Sequence, residues 1–95
     1  MSGFMGGSAF TMARDISEGY IQVTDRTYRG MSTADLQRLA HELDRHMREL
    51  RGEATAHLDT PEVQARQRRI LRLRTALMIL RHHQQKSRVP AKSRA

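Results

Sequence analysis

The sequence has no cysteine and no tryptophan, and its aromatic rings are limited to Phe4, Phe10, Tyr20 and Tyr28. The first absence removes disulfides, thiolate metal sites and cysteine nucleophiles together, and leaves the redox compartment open. The shortage of large rings, in a chain of 95 residues, excludes a deep core and allows one modest domain. So small a chain without disulfides suits the cytoplasm, or alternatively a virion, better than secretion. Long apolar runs are missing too, since no stretch approaches the ~20 residues that span a bilayer. Residues 1–12 carry no basic n-region, so a signal peptide is not expected. Ser2 stands where myristoylation needs glycine. The expectation is a soluble intracellular protein with no membrane partner.

The motifs of catalysis are equally scarce. There is no GxxxxGK phosphate loop, no GxGxxG and no GxSxG, and Gly3, Gly6 and Gly7 precede no strand-turn-helix pattern. His41 and His46 are five apart and fall on different sides of a helix, His82 and His83 are adjacent and diverge, and His57 sits in a loop. Neither HxxxH nor HExxH occurs, so no metal is expected. The acids of residues 33–52 alternate with arginines, as on a solvated helix face. A non-enzyme without cofactor or small-molecule substrate is expected.

What the chain does have is positive charge in one place. The net charge is +7, yet residues 1–52 are balanced, and the excess lies in residues 61–95, where ten Lys or Arg face Glu62 alone. Such segregation points to a polyanionic partner or to a solvated, self-repelling tail.

Read for organisation, residues 1–18 form a flexible arm, broken by Gly3, Gly6 and Gly7 but carrying the apolar hooks Phe4, Met5, Phe10 and Met12. A single domain over 19–86 follows, then a basic tail over 87–95. The strand formers of Tyr20-Ile21-Gln22-Val23 and Thr27-Tyr28-Arg29, with Thr24-Asp25-Arg26 as the turn, predict a short β-hairpin over about 20–29. Ser32-Thr33-Ala34-Asp35 predicts a capped helix over about 33–52. Its Leu36, Leu39, Leu43, Met47 and Leu50 make one narrow apolar stripe, with Ala40 beside them. Thr60-Pro61-Glu62 predicts the start of a second helix over about 61–85, with Thr60 as the cap.

In that helix Val63, Ile70, Leu73, Leu77 and Leu80 follow a heptad seam, with Arg66 at the slot between Val63 and Ile70. Leu71 and Met78 form a second apolar line, so the helix has more to bury than one neighbour covers. The short connection forces the two helices antiparallel. The fold class is therefore mainly α, an antiparallel helical hairpin. Its thin core needs a third surface: the β-hairpin, another copy or a large partner.

The candidate binding face is basic. Arg68, Arg69 and Arg72 lie within about 100° of one another and opposite the seam, with Arg74 and Arg81 nearer its edges and Lys86 and Arg88 beyond. Guanidinium is the better fork for phosphate, and several along a rod can track a nucleic-acid backbone without reading sequence. The same arginines could instead pair with acids on a protein, and no ring on this face offers base stacking.

With this layout, residues 29–77 resemble the two-helix large-subunit ribosomal protein family number twenty-nine. The resemblance rests on Arg29, on the capped Ser32-Thr33-Ala34-Asp35-Leu36, on Leu50-Arg51, on Leu58-Asp59-Thr60-Pro61, and on Arg68-Arg69 with the run Ile70-Leu71-Arg72-Leu73-Arg74-Thr75-Ala76-Leu77. It implies a helical hairpin that binds ribosomal RNA through Arg68, Arg69, Arg72 and Arg74; the N-terminal extension is an addition to the family pattern. The expected function is thus a structural, RNA- or nucleic-acid-binding component of a large ribonucleoprotein-like assembly. The alternative is a protein–protein assembly module, such as a small virion component or a coiled-coil adaptor, with homo-oligomerisation open.

Overall fold

The computed structural model describes residues 4, 7–53 and 58–88, and among these described residues there are four helices. They are α1 (Ala9–Glu18), α2 (Asp25–Arg29), α3 (Thr33–Gly52) and α4 (Thr60–Arg88). Helix α3 begins where its capping signal predicts, with Ser32 Oγ accepting the Asp35 N–H at 3.1 Å. Its stripe is the floor of the core: Leu36, Leu39, Ala40, Leu43 and Met47 are buried, and Leu50 is partly so.

Helix α4 is capped one residue earlier than the sequence suggests. Asp59 Oδ1 accepts the Glu62 N–H at 3.0 Å while the Asp59 N–H donates to Glu62 Oε1 at 3.4 Å, a reciprocal box in which Thr60 is already helical. The helix also runs on to Arg88, beyond the expected end near Gln85. Of its seam, Ile70, Leu73 and Leu80 are buried together with Ala76, while Val63 and Leu77 are half-buried.

The two long helices pack antiparallel, and one buried cation ties their ends. Arg66, only 5% exposed, donates from Nη1 to Leu50 O at 3.3 Å and to Glu53 O at 2.8 Å. Those carbonyls sit at the C-terminal end of α3, where backbone acceptors lack helical donors and the macrodipole is negative. A polar residue in an apolar heptad slot thus serves as the cap of the neighbouring helix.

Two sequence-based expectations are corrected. Residues 9–18 are not a loose arm. Ser8 Oγ accepts the Thr11 N–H at 3.1 Å, and Met12, Ala13 and Ile16 are buried at helical spacing against α3 and α4. Gly19 ends α1 in the left-handed region at φ 86°, and the turn returns the Gly19 and Tyr20 N–H groups to Ile16 O and Asp15 O. Of the apolar hooks, Phe4 packs against the core, Phe10 is half-exposed, and Met5 lies outside the described residues.

The β-hairpin over 20–29 is absent, and no strand occurs among the described residues. Residues 20–24 form no regular element and find no partner strand, and an isolated pair of runs that short gains too little to form a hairpin. The second run becomes α2 because Thr27 Oγ1 accepts the Thr24 N–H at 3.1 Å, a helix-start contact rather than a turn. Tyr28, fully buried, anchors α2 by donating its hydroxyl to Ala76 O at 2.9 Å, and burial holds that hydroxyl's pKa well above the usual tyrosine range. The third surface demanded by the thin hairpin is therefore helix α1, supplemented by α2.

Arg66→Met keeps the bulk and removes the cap. It should lower the unfolding free energy by about 1–3 kcal/mol, read from urea denaturation. No loss would show that Arg66 is not the tie between α3 and α4.

Candidate interaction surface on the last helix

Helix α4 meets its own chain on one side only. Its seam faces α3, and α1 and α2 cover the flank that includes Ala76 and His83. Opposite the seam lie Leu71 and Met78, 56% and 64% exposed. At 100° per residue these two are about 20° apart, with Arg68 about 60° to one side and Arg74 and Arg81 about 60–80° to the other.

The basic residues proposed from sequence divide into two sets. Arg69, Arg72 and Lys86 are turned to their own chain. Arg69 Nη2 is 3.6 Å from Glu18 Oε1, and Arg72 Nη1 donates to Ser17 O at 2.9 Å, closing the end of α1. The approach is close: a Cβ on Gly19 would stand 3.2 Å from the Arg72 Cζ. Lys86 Nζ is 3.2 Å from Asp25 Oδ2. Arg68, Arg74 and Arg81 are exposed and make no ion pair among the described residues. Of the basic tail expected over 87–95, residues 87 and 88 belong to α4 instead, while the Arg88 side chain and residues 89–95 lie outside the described residues.

The face expected to present a continuous arginine array is accordingly an apolar line flanked by three uncommitted cations. Sequence periodicity places Arg69 and Arg72 on the outside because it takes no account of α1, whose C-terminal end engages them through the Glu18 carboxylate and the Ser17 carbonyl. The apolar stripe Leu36, Leu39, Leu43, Met47, Leu50, Val63, Ile70, Leu73, Leu77 and Leu80 is occupied within the fold, whereas Leu71 and Met78 are not.

Beside Leu71 the surface dips. A cleft of about 440 Å³ opens between the end of α1, residues 21–23 and α4, lined by Ile16, Ile21, Val23, Leu71, Arg72 and Ala76. Tyr20, next to it in the chain, is 79% exposed. A second cleft of about 760 Å³ lies between the start of α3 and the end of α4 and carries Arg29, His41, Asp44 and Arg81. No group of three or more His, Asp or Glu converges as metal ligands would among the described residues. Likewise, no described helix is long and apolar enough to cross a membrane.

No protein-family model matches the chain, and no curated protein or solved structure is significantly similar to it. Its own surface is what bears on its function.

Two clusters escaped the sequence reading. Phe10 packs on His46 with the ring centroids 5.1 Å apart and tilted by 48°, and the Arg45 guanidinium lies 5.6 Å from the Phe10 centroid, fastening α1 to α3. Asp25, at the start of α2, gathers His83 Nδ1 at 3.0 Å, Lys86 Nζ at 3.2 Å and Arg29 Nε at 3.4 Å. Only their separation of nearly 60 residues hid the Asp25–His83 pairing; the residue types themselves are ordinary partners.

Hydrogen bonds from His83 and then Lys86 hold the Asp25 carboxyl down at about 2, from 3.8. A depressed carboxyl stabilises the fold fully above its unfolded value, and that contribution fades as pH falls from 3.8 through about 2. Asp25→Asn should therefore flatten the acid limb of stability in this window. The check is the melting temperature of both proteins from pH 5 to pH 2; parallel curves would refute the assignment.

Proposed function

We propose that the chain is a non-catalytic assembly module that docks a protein partner, within a larger cytoplasmic or virion particle, through the outer face of α4. The observation that carries this reading is the exposed pair Leu71 and Met78 on a helix whose other apolar residues are engaged. Burying such side chains gains about 1.5–3 kcal/mol each, and a partner surface is the means left to do so. The flanking Arg68, Arg74 and Arg81 supply a polar rim of the kind that surrounds interface cores.

A test is site-specific photo-crosslinking in the native cell, with p-benzoylphenylalanine at Met78 or, on the far side, at Arg38. Adducts at 78 that survive nuclease and are missing at 38 are expected. Equal labelling at both positions, or none at 78, would overturn the reading.

A second reading is favoured by the charge segregation: nucleic acid held by Arg68, Arg74 and Arg81. The ribosomal-family resemblance of residues 29–77 supports it, although Arg69 and Arg72 would first have to leave Glu18 and Ser17. Three phosphate contacts would give a salt slope of about −2 to −3 on log–log axes. Anisotropy of labelled RNA and DNA between low and moderate salt measures it. A flat response removes this reading.

A further inference from the structure

We infer that the cleft lined by Ile16, Ile21, Val23, Leu71, Arg72 and Ala76, continued along α4 to Met78, receives an acidic amphipathic helix of a partner protein. The inference deepens the docking reading above and rests on it. Its lining is more apolar than polar: Ile16, Ile21, Val23, Leu71 and Ala76 make up five of the nine residues, against Gln22, Arg72 and Thr75. The cleft follows α4 from Leu71 to Ala76, and Met78 continues it, so the apolar track spans about 10 Å or two turns of α4, a length that the anchor residues of a docked helix can match.

Charge selects the partner. The outer face carries no acid, since Glu62 is the only acid in α4 and lies in its first turn. Arg68, Arg74 and Arg81 border the apolar line. Arg72 forms one wall of the cleft, already oriented by Ser17 O at 2.9 Å, and its remaining guanidinium donors have no partner among the described residues. A forked, pre-oriented donor beside an apolar floor fits a carboxylate carried next to a leucine.

The other occupants fit less well. A second copy would bring its own Arg68, Arg74 and Arg81 against these three, and like charges in an interface work against it. A nucleic-acid backbone would set phosphates over Leu71 and Met78, and no aromatic residue in the cleft lining offers a base a stacking platform.

The test uses the full chain labelled with ¹⁵N and three probes. One is a helical peptide about three heptads long, with leucine at the anchor positions and glutamate beside them. The second is the same peptide with lysine for glutamate, and the third is a short RNA duplex. The glutamate peptide should shift the amides of Ile21, Leu71, Thr75 and Met78, and the lysine peptide should not. Leu71→Ser with Met78→Ser, both at exposed positions, should keep the helical circular dichroism and weaken binding roughly tenfold. Arg68→Gln with Arg74→Gln, both at exposed positions that make no ion pair among the described residues, gives a second, independent loss.

Equal binding of the two peptides, shifts confined to α3, duplex RNA displacing the peptide, or self-association through Leu71 would each overturn the inference. If the glutamate peptide fails while crosslinking at position 78 still labels a protein, the acidic helix is wrong and the docking reading stands.

Discussion

The fold depends on α1 laying Met12, Ala13 and Ile16 over the junction between α3 and α4. Two amphipathic helices, each with a single stripe, bury one line of contact and leave its edges wet. A third helix converts that line into a closed core in which Met12, Leu39, Leu43, Leu73 and Leu80 lose essentially all contact with water. Everything downstream follows from this placement: the turn at Gly19, the path of residues 20–24 beside α4, and the docking of α2 through Tyr28.

The same placement decides what the arginines of α4 do. Where α1 ends, its unsatisfied carbonyls and Glu18 face α4, and the nearest cations are drawn to them. Arg66 does the corresponding work for α3. Three arginines of one helix thus hold the architecture, and three others, Arg68, Arg74 and Arg81, pair with nothing among the described residues. Counting charge along the chain does not separate these roles; geometry does.

Much of the helical framework was legible from local signals. Ser32 with the Leu36–Leu50 stripe specified α3, and the Val63–Leu80 seam with the surplus Leu71 and Met78 described both sides of α4. Helix α1 has the helical spacing in Ala9, Met12, Ala13 and Ile16 and a capping hydroxyl in Ser8, but Gly3, Gly6 and Gly7 just before them mask its start in the sequence. The strand reading of 20–29 failed because β-propensity expresses fit to a neighbouring strand, and no neighbour exists. The ties from Arg66, Arg72 and His83 join residues far apart in sequence, so no window of local pattern could contain them. The shift of the α4 cap to Asp59 is a smaller matter, one residue within a run of three good capping side chains.

The buried tie at Arg66 has a further implication for how the molecule is fastened. Guanidinium keeps its proton at any pH the fold survives, whereas an ammonium so enclosed would readily shed it. The joint between the long helices is consequently permanent, indifferent to acidity. Helix α2, held at its centre by Tyr28, is fastened at its start through the Asp25 carboxylate on His83 and Lys86, a group that loses its charge in acid. One protein therefore carries a fixed rivet at one end of its rod and a titratable clasp towards the other.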